Sequence, residues 1–448
     1  MRKIHSRPRL MLYAVSGMGI NMLNLMMGSY LCSALLVGGF GEAAIPFQTF
    51  AQRDLILPAV WAVFALVAKI IDGIIDIPMA AFTDKLRTRW GRRRPAILMG
   101  LIPTIVTFLL FLVIPNPAGA TLGNTVYYGI VLCLFYSAYT LTMVTYYATF
   151  TEIVDTTEER NLISNVKSVC DIVYFILGYV VVRMLLNGLN VRVVSLIVLP
   201  LSMTMLIPLF MIRENSTLDG EEAAKVETVS LVKSLSFTLR NRPFIIWMLV
   251  YSFMNFGVQL FLGGINEYFS FVNMSMIYVM VAAFAPVPLT LILYNKVIAK
   301  RGFGFAYRCV LVIFIAGMCA MGIAGLLPAS AFKTVFGILT GLVSSFAVGA
   351  VFSVGYSIPA ELAAQEEKRT GVSNAAMYFA VQGLFAGIAS GIATGVVLTA
   401  LKGSEAHPTS AIKYMTFVAA AGCAIALALS WLLPKSLMQL GKKNGDTK

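Results

Sequence analysis

The chain has 448 residues, 58% of them hydrophobic and only 12% charged, with a mean hydropathy of +0.82; a soluble protein of this size could not hide so much apolar surface, so a polytopic membrane protein is expected. The formal net charge of +13 does not indicate nucleic acid, because the positive charges lie in loops between apolar spans and report topology. Cys32, Cys133, Cys170, Cys309, Cys319 and Cys423 all fall in apolar segments without close spacing and read as small packing residues, not as disulfides or metal ligands.

The opening MRKIHSRPRL is basic, and the apolar run after it is long enough to span, so no cleavable signal peptide is expected. Apolar runs of about 20 residues predict an all-α chain with about twelve transmembrane helices. They lie near 10–38, 56–83, 96–114, 125–150, 168–189, 191–212, 243–265, 274–298, 309–328, 334–358, 375–400 and 412–434. One connection stands out, the long charged segment 213–242. It predicts a six-helix half at 1–212, a cytoplasmic linker at 213–242, a second six-helix half at 243–434 and a cytoplasmic tail at 435–448.

With the N-terminus inside, about 27 lysines and arginines fall on the inner side, including Lys85, Arg87, Arg89, Arg92, Arg93 and Arg94 in one loop. Only Arg53, Arg183, Arg192, Lys333, Lys402 and Lys413 fall outside. That bias predicts a multi-pass protein of the cell membrane with both termini cytoplasmic.

The halves repeat each other. DKLRTRWG at 84–91 matches NKVIAKRG at 295–302, with Lys85 on Lys296 and Gly91 on Gly302. The end of the fourth span matches the end of the tenth: Tyr147 with Tyr356, Glu152 with Glu361, Arg160 with Arg369, Asn165 with Asn374. Two pseudo-symmetric six-helix halves around a central site are a transporter plan.

The second span carries Lys69, Asp72 and Asp76 at i, i+3 and i+7, which places them on one face of a continuous helix. A charge at mid-membrane costs about 2.5–3.5 kcal/mol even on the lenient insertion scale, so this stripe is expected to face the bundle interior or a water-filled cavity. Two carboxylates and one ammonium leave one negative charge for a bound Na⁺ or proton. Asp72 and Asp76 are therefore candidate cation ligands, with Lys69 as their counter-ion; a salt bridge that only orients the helix is the competing explanation. The fourth span adds Thr140, Thr142, Thr145 and five tyrosines, whose hydroxyls suit a Na⁺ shell or solute contacts, or simple bonding between helices. Asn21, Asn24, Asp171, Asn255, Gln259 and Gln382 are further polar candidates. Asp84, Arg92, Arg93, Glu152 and Glu361 at inner loop ends are candidates for a cytoplasmic gate of salt bridges.

The two-half plan, with its basic loop after helix two and a weaker copy after helix eight, resembles the major facilitator superfamily. Within it, KIIDGIIDIPMAAFTDKLRTRWGRRRP resembles the glycoside–pentoside–hexuronide:cation symporters typified by the melibiose carrier, through Lys69, Asp72, Asp76, Arg89, Trp90, Gly91 and Pro95. TEIVDTTEERNLISNVK and EEKRTGVSN resemble that family's loops after helices four and ten. The resemblance implies cation binding at Asp72, Asp76 and Thr140, and solute binding around Asn21, Tyr147, Lys167 and Gln382. Met143 falls where sodium-coupled sugar carriers have a helix-four acid, Asn21 near the helix-one sugar-binding acid, Gln382 near the helix-eleven lysine and Lys167 near the helix-five arginine.

The expected function is alternating-access symport of a small polar solute (a sugar, glycoside or hexuronide) with H⁺ or Na⁺, with the loss of the helix-four acid favouring protons. The alternatives are the same fold moving a lipid-like or drug-like solute, inward or outward, or a transporter-derived sensor. No loop acid–base pair, Gly-rich nucleotide loop or His–Cys cluster points to an enzyme or to a cofactor beyond the coupling ion. A monomer in the lipid bilayer is expected.

Overall fold

In the computed structural model the described residues are 3–154, 157–216, 241–370 and 375–439. All twelve predicted spans are helical there. Among the described residues nine helices are long and apolar enough to cross a membrane, and a tenth span is bent by 41° between Met276–Phe284 and Val287–Arg301. The second and fifth spans complete the set. The second is split at Ile75 into helices of 17 and 10 residues, and the two spans carry Lys69, Asp72, Asp76 and Lys167 of the candidate site.

The chain forms two compact units, one of Met1–Gly38, Glu42–Glu227 and Ser404–Pro408, the other of Gly39–Gly41, Thr228–Gly403 and Thr409–Lys448. Most of the predicted linker, 217–240, and the end of the tail, 440–448, lie outside the described residues.

In the first unit the first span is built from α1 (Arg7–Ser16) and α2 (Met18–Met26). The second span is α3 (Pro58–Ile74) and α4 (Asp76–Lys85), joined at Ile75. Pro58 starts α3 where a missing N–H costs nothing. Pro78 has the opposite effect: it has no N–H to give the carbonyl of Ile74, and its ring crowds that carbonyl. Then come α5 (Arg93–Phe111), α6 (Leu122–Glu152), α7 (Thr157–Ile176) and α8 (Val191–Val198). Thr121 caps α6, its hydroxyl accepting from the Asn124 N–H at 3.1 Å. α5 lies so close to α6 that a Cβ on Gly100 would strike Thr142.

A core of Leu10, Tyr13, Ile20, Ile97, Leu101, Tyr146, Ile153, Ile163 and Met205 ties α1, α2, α5, α6 and α7 together. The first and fifth spans each contain a π-helical turn, Met27–Leu31 and Leu177–Val181, and the two turns meet. The Tyr30 hydroxyl donates to the Gly178 carbonyl at 2.6 Å, and the Ser29 and Tyr179 hydroxyls lie 3.1 Å apart. The wider turn offsets the backbone ladder, and side-chain hydroxyls serve the groups it exposes.

The second unit has α9 (Arg242–Gly263), α10 (Ile265–Phe271), α11 (Met276–Phe284), α12 (Val287–Arg301), α13 (Phe303–Leu326), α14 (Ala331–Thr370), α15 (Ala375–Gly391), α16 (Leu398–Lys402) and α17 (Met415–Leu429). Two buried lysines hold its loops. Lys402 pairs with Glu267 at 2.8 Å, the two side chains 4% and 0% exposed. The Lys333 ammonium donates to the carbonyls of Val272, Gly325 and Leu327 at 2.5, 3.2 and 3.1 Å.

The sequence repeat appears in the backbone. Gly91 has φ 84° and Gly302 has φ 87°, a region open to glycine but strained for other residues. In each unit the segment after the sixth helix packs on this glycine, Glu214 on Gly91 and the Met438 backbone on Gly302.

Candidate cation and solute site

α3 and α6 pack along each other and build the first part of the site. One turn of α3 brings the Lys69 ammonium to 3.4 Å from Asp72 Oδ2. The same ammonium lies 3.9 Å from the centroid of the Tyr136 ring on α6, a cation–π contact. The other carboxylate oxygen of Asp72 accepts from the Thr140 hydroxyl at 3.2 Å. Asp72 is thus held by a charge on its own helix and a hydroxyl on the next.

Asp76 differs. It opens α4 just past Ile75, is exposed, and has no ion pair or hydrogen bond among the described residues. The α-helical ladder is interrupted between the two carboxylates, but the junction residue Ile75 keeps a right-handed helical backbone, φ −70° and ψ −16°, and Asp76 stays within electrostatic reach of Asp72.

A second cluster adjoins on α2, α6 and α7. The Tyr139 hydroxyl donates to Asn21 Oδ1 at 2.8 Å, joining the fourth span to the first. The Lys167 ammonium donates to Asp171 Oδ2 at 2.6 Å, one turn along α7, and lies 5.2 Å from the Tyr147 ring centroid. Tyr139 stands within electrostatic reach of Tyr147, Tyr174, Asp72 and Asp171.

The MFS/sugar transport protein family matches residues 12–435, nearly the whole chain. The chain belongs to that family. It is a major facilitator secondary transporter, a multi-pass membrane protein and not an enzyme. An uncharacterized symporter of Synechocystis sp., sll1374, is 29% identical over 131 residues, 28% of this chain and 24% of that protein, so the match spans about a quarter of the symporter's length. Among solved structures, a mutant of the nucleoside transporter NupG superposes with a TM-score of 0.65 at 13% identity, covering 95% of this chain and 98% of NupG. The inward-open xylose transporter XylE from E. coli gives 0.59 at 14% identity, covering 95% of each chain. At such identities the likeness is one of fold.

For this transporter the structure gathers Lys69, Asp72 and Thr140 into direct contact, and Asn21, Tyr147 and Lys167 into the neighbouring cluster. Gln382 belongs to the other unit, where its Oε1 accepts from the Trp247 indole at 2.7 Å. Of the predicted gate residues, Arg92 stands at the start of α5, and the N–H of buried Arg93 donates to Glu214 at 2.8 Å. Glu361 accepts from Gln365 at 2.9 Å on its own helix, α14. Asp84 and Glu152 end α4 and α6, and their side chains lie outside those described.

Met143 is placed unexpectedly. It is 4% exposed inside the hydrophobic core of the first unit, next to Tyr146 and Leu101. A carboxylate there would be buried among apolar groups, and the helix-four oxygen at the cation site is that of Thr140. Asp171 was a polar candidate from the sequence, whereas Tyr136 and Tyr139 were not singled out from the five tyrosines of the fourth span. The signal was present, since Tyr136, Tyr139, Thr140 and Tyr147 follow helical i, i+3, i+4 and i+11 spacing.

Proposed function

We propose that this transporter is a symporter that couples entry of H⁺ or Na⁺ to uptake of a small polar solute, a sugar, glycoside or hexuronide, by alternating access with both termini in the cytoplasm. The coupling cation binds at Asp72, Asp76 and Thr140, with Lys69 as counter-ion. The solute-binding residues are Asn21, Tyr147 and Lys167 in the first unit and Gln382 in the second. The observation that carries this is the asymmetry of the two carboxylates: Asp72 is paired with Lys69 and Thr140, while Asp76 is exposed without an ion pair among the described residues. The group therefore keeps one uncompensated negative charge. Charge inside a membrane is costly and marks ion pathways. Carbonyls freed at a helix break serve cations in other transporters, and Pro78 frees that of Ile74 beside Asp76.

A thermal-shift screen of the purified protein tests it, with mono- and disaccharides, glycosides and hexuronates, each with and without Na⁺. A ligand that binds only the folded state raises the melting temperature. A sugar whose stabilisation grows with Na⁺ makes Na⁺ the coupling ion; one indifferent to Na⁺ but sensitive to pH makes it the proton. Absence of any sugar response, with well-folded protein, sinks the sugar reading. The second reading, a lipid-like or drug-like solute, is favoured by an apolar pocket within the second unit, lined by Phe261, Met280, Phe284, Phe314, Met318 and Met321.

A further inference from the structure

The ion pair on α7 has no part in the cation site just described, yet it stands beside it. Lys167 and Asp171 are one helical turn apart, 2.6 Å between charged atoms, with side chains 30% and 34% exposed. Neither is sealed in the core, so water, protons and solute oxygens can reach both. The ammonium also lies 5.2 Å from the centroid of the Tyr147 ring, and Tyr139 stands within electrostatic reach of both Asp171 and Asp72.

An ammonium held by a carboxylate offers less to a third group than a free one. We propose that Asp171 is a second proton-binding group of the transporter, and that its proton and its ion pair with Lys167 exclude one another. A proton arriving from the aqueous side adds to an Asp171 carboxylate oxygen. The ion pair becomes a weaker ion–dipole contact, and Lys167, keeping all three of its own protons, turns to an oxygen of the solute. Linkage makes the effect reciprocal: a solute oxygen that draws Lys167 away raises the proton affinity of Asp171 by the same factor. Proton and solute then bind together because both compete against one contact. The idea rests on the symport reading, in which Lys167 is a solute-binding residue, and it adds a proton site on the fifth span to the cation site on the second.

The other described charged and titratable groups lie on α7 and on the helices packed against it. On α7 they are Glu159, which pairs with His5 at the start of the helix, Cys170 and Tyr174. α6 contributes Tyr139 and Tyr147. α1, also packed on α7, contributes Arg7, Arg9 and Tyr13, and Tyr13 is bonded to Tyr146 and Thr149. α2 contributes no titratable side chain, only the amides of Asn21 and Asn24. Lys167 is the cation in direct contact with the carboxylate.

Infrared difference spectroscopy on the full-length protein in lipid, stepped between high and low pH without solute, tests this directly. A protonated carboxyl shows its own C=O stretch. Asp171→Asn is expected to remove one such band, and Asp171→Glu to keep it at a shifted frequency, which also guards against misfolding of the amide variant. In Lys167→Gln the band is expected to persist to higher pH, because the ammonium no longer holds the carboxylate charged. If Asp171→Asn keeps every wild-type band, or Lys167→Gln titrates like wild type, the proposal is overturned. Asp72→Asn and Asp76→Asn spectra, recorded with a Na⁺ step as well, report on the cation site separately. Wild-type responses to Na⁺ and to protons surviving unchanged in both variants would sink the symport reading, while the Asp171 band is scored independently in the same pH steps.

Discussion

The Thr140 hydroxyl donates to Asp72 at 3.2 Å, and through this bond the fourth span holds a carboxylate that belongs to the second. A hydrogen bond to a charged group contributes about 1.5–3 kcal/mol. Thr140→Ala is therefore expected to weaken cation binding by about 10-fold or more on that scale, and Thr140→Ser to restore it. Cation titrations of the purified variants, followed by thermal stabilisation, decide the matter; wild-type affinity in Thr140→Ala would remove Thr140 from the site.

Asp76 carries the charge that a partner has not already taken. Asp76→Asn is expected to abolish accumulation driven by a cation gradient in proteoliposomes. Accumulation at the wild-type level in that variant rules out a coupling role for Asp76.

Lys69 sits between Asp72 and the Tyr136 ring. Lys69→Ala leaves Asp72 without its ammonium, so lower expression and a lower melting temperature are expected. The loss is smaller than for a fully buried pair because both side chains are partly exposed. Removing the carboxylate as well, in Lys69→Ala with Asp72→Ala, should recover stability but not transport. Equal stability of Lys69→Ala and wild type would show that Lys69 is not the counter-ion.

The Glu267–Lys402 pair of the second unit is almost fully enclosed. Deleting one partner of such a pair strands the other charge, at about 3–5 kcal/mol. Lys402→Met is expected to lower the melting temperature markedly, and Lys402→Met with Glu267→Leu to regain most of it. A single variant as stable as wild type would mean that the pair contributes nothing.

Gly91→Ala and Gly302→Ala test the repeat. At a positive φ a side chain costs about 1–2 kcal/mol, and at both positions the added carbon meets the segment that follows the sixth helix. Both variants are expected to melt earlier, by similar amounts. A loss confined to one of them would mean that the two loops no longer serve the same purpose.

Much of this was legible because membranes impose simple rules. The twelve spans followed from apolar length, and the duplicated loop from Gly91 and Gly302, whose unusual backbone demands glycine. Lys69 and Asp72 followed from helical spacing. The same spacing gives no sign of the break at Ile75, where Pro78 withholds an N–H from the ladder. Met143 was legible as a departure from the resembled pattern, but its position in the core is a matter of how α6 packs, which spacing alone does not fix. The Lys167–Asp171 pair was missed for a related reason. Each residue was weighed alone, although i, i+4 spacing already placed the two within reach.

The paired π-helical turns of the first and fifth spans make a single codon matter in an unusual way. A π turn holds one residue more than an α turn, so the fifth span is phased around an extra residue between Leu177 and Val181. Deleting one of these five would leave a helix still long enough for the bilayer and no less apolar. It would also close the wide turn to an ordinary α turn of about the same sweep, so the helix keeps its facing on both sides, while the Tyr30 and Ser29 hydroxyls lose the Gly178 carbonyl and Tyr179 hydroxyl they now reach. A hydropathy plot would not register the loss, and neither would a membrane-insertion assay; transport would.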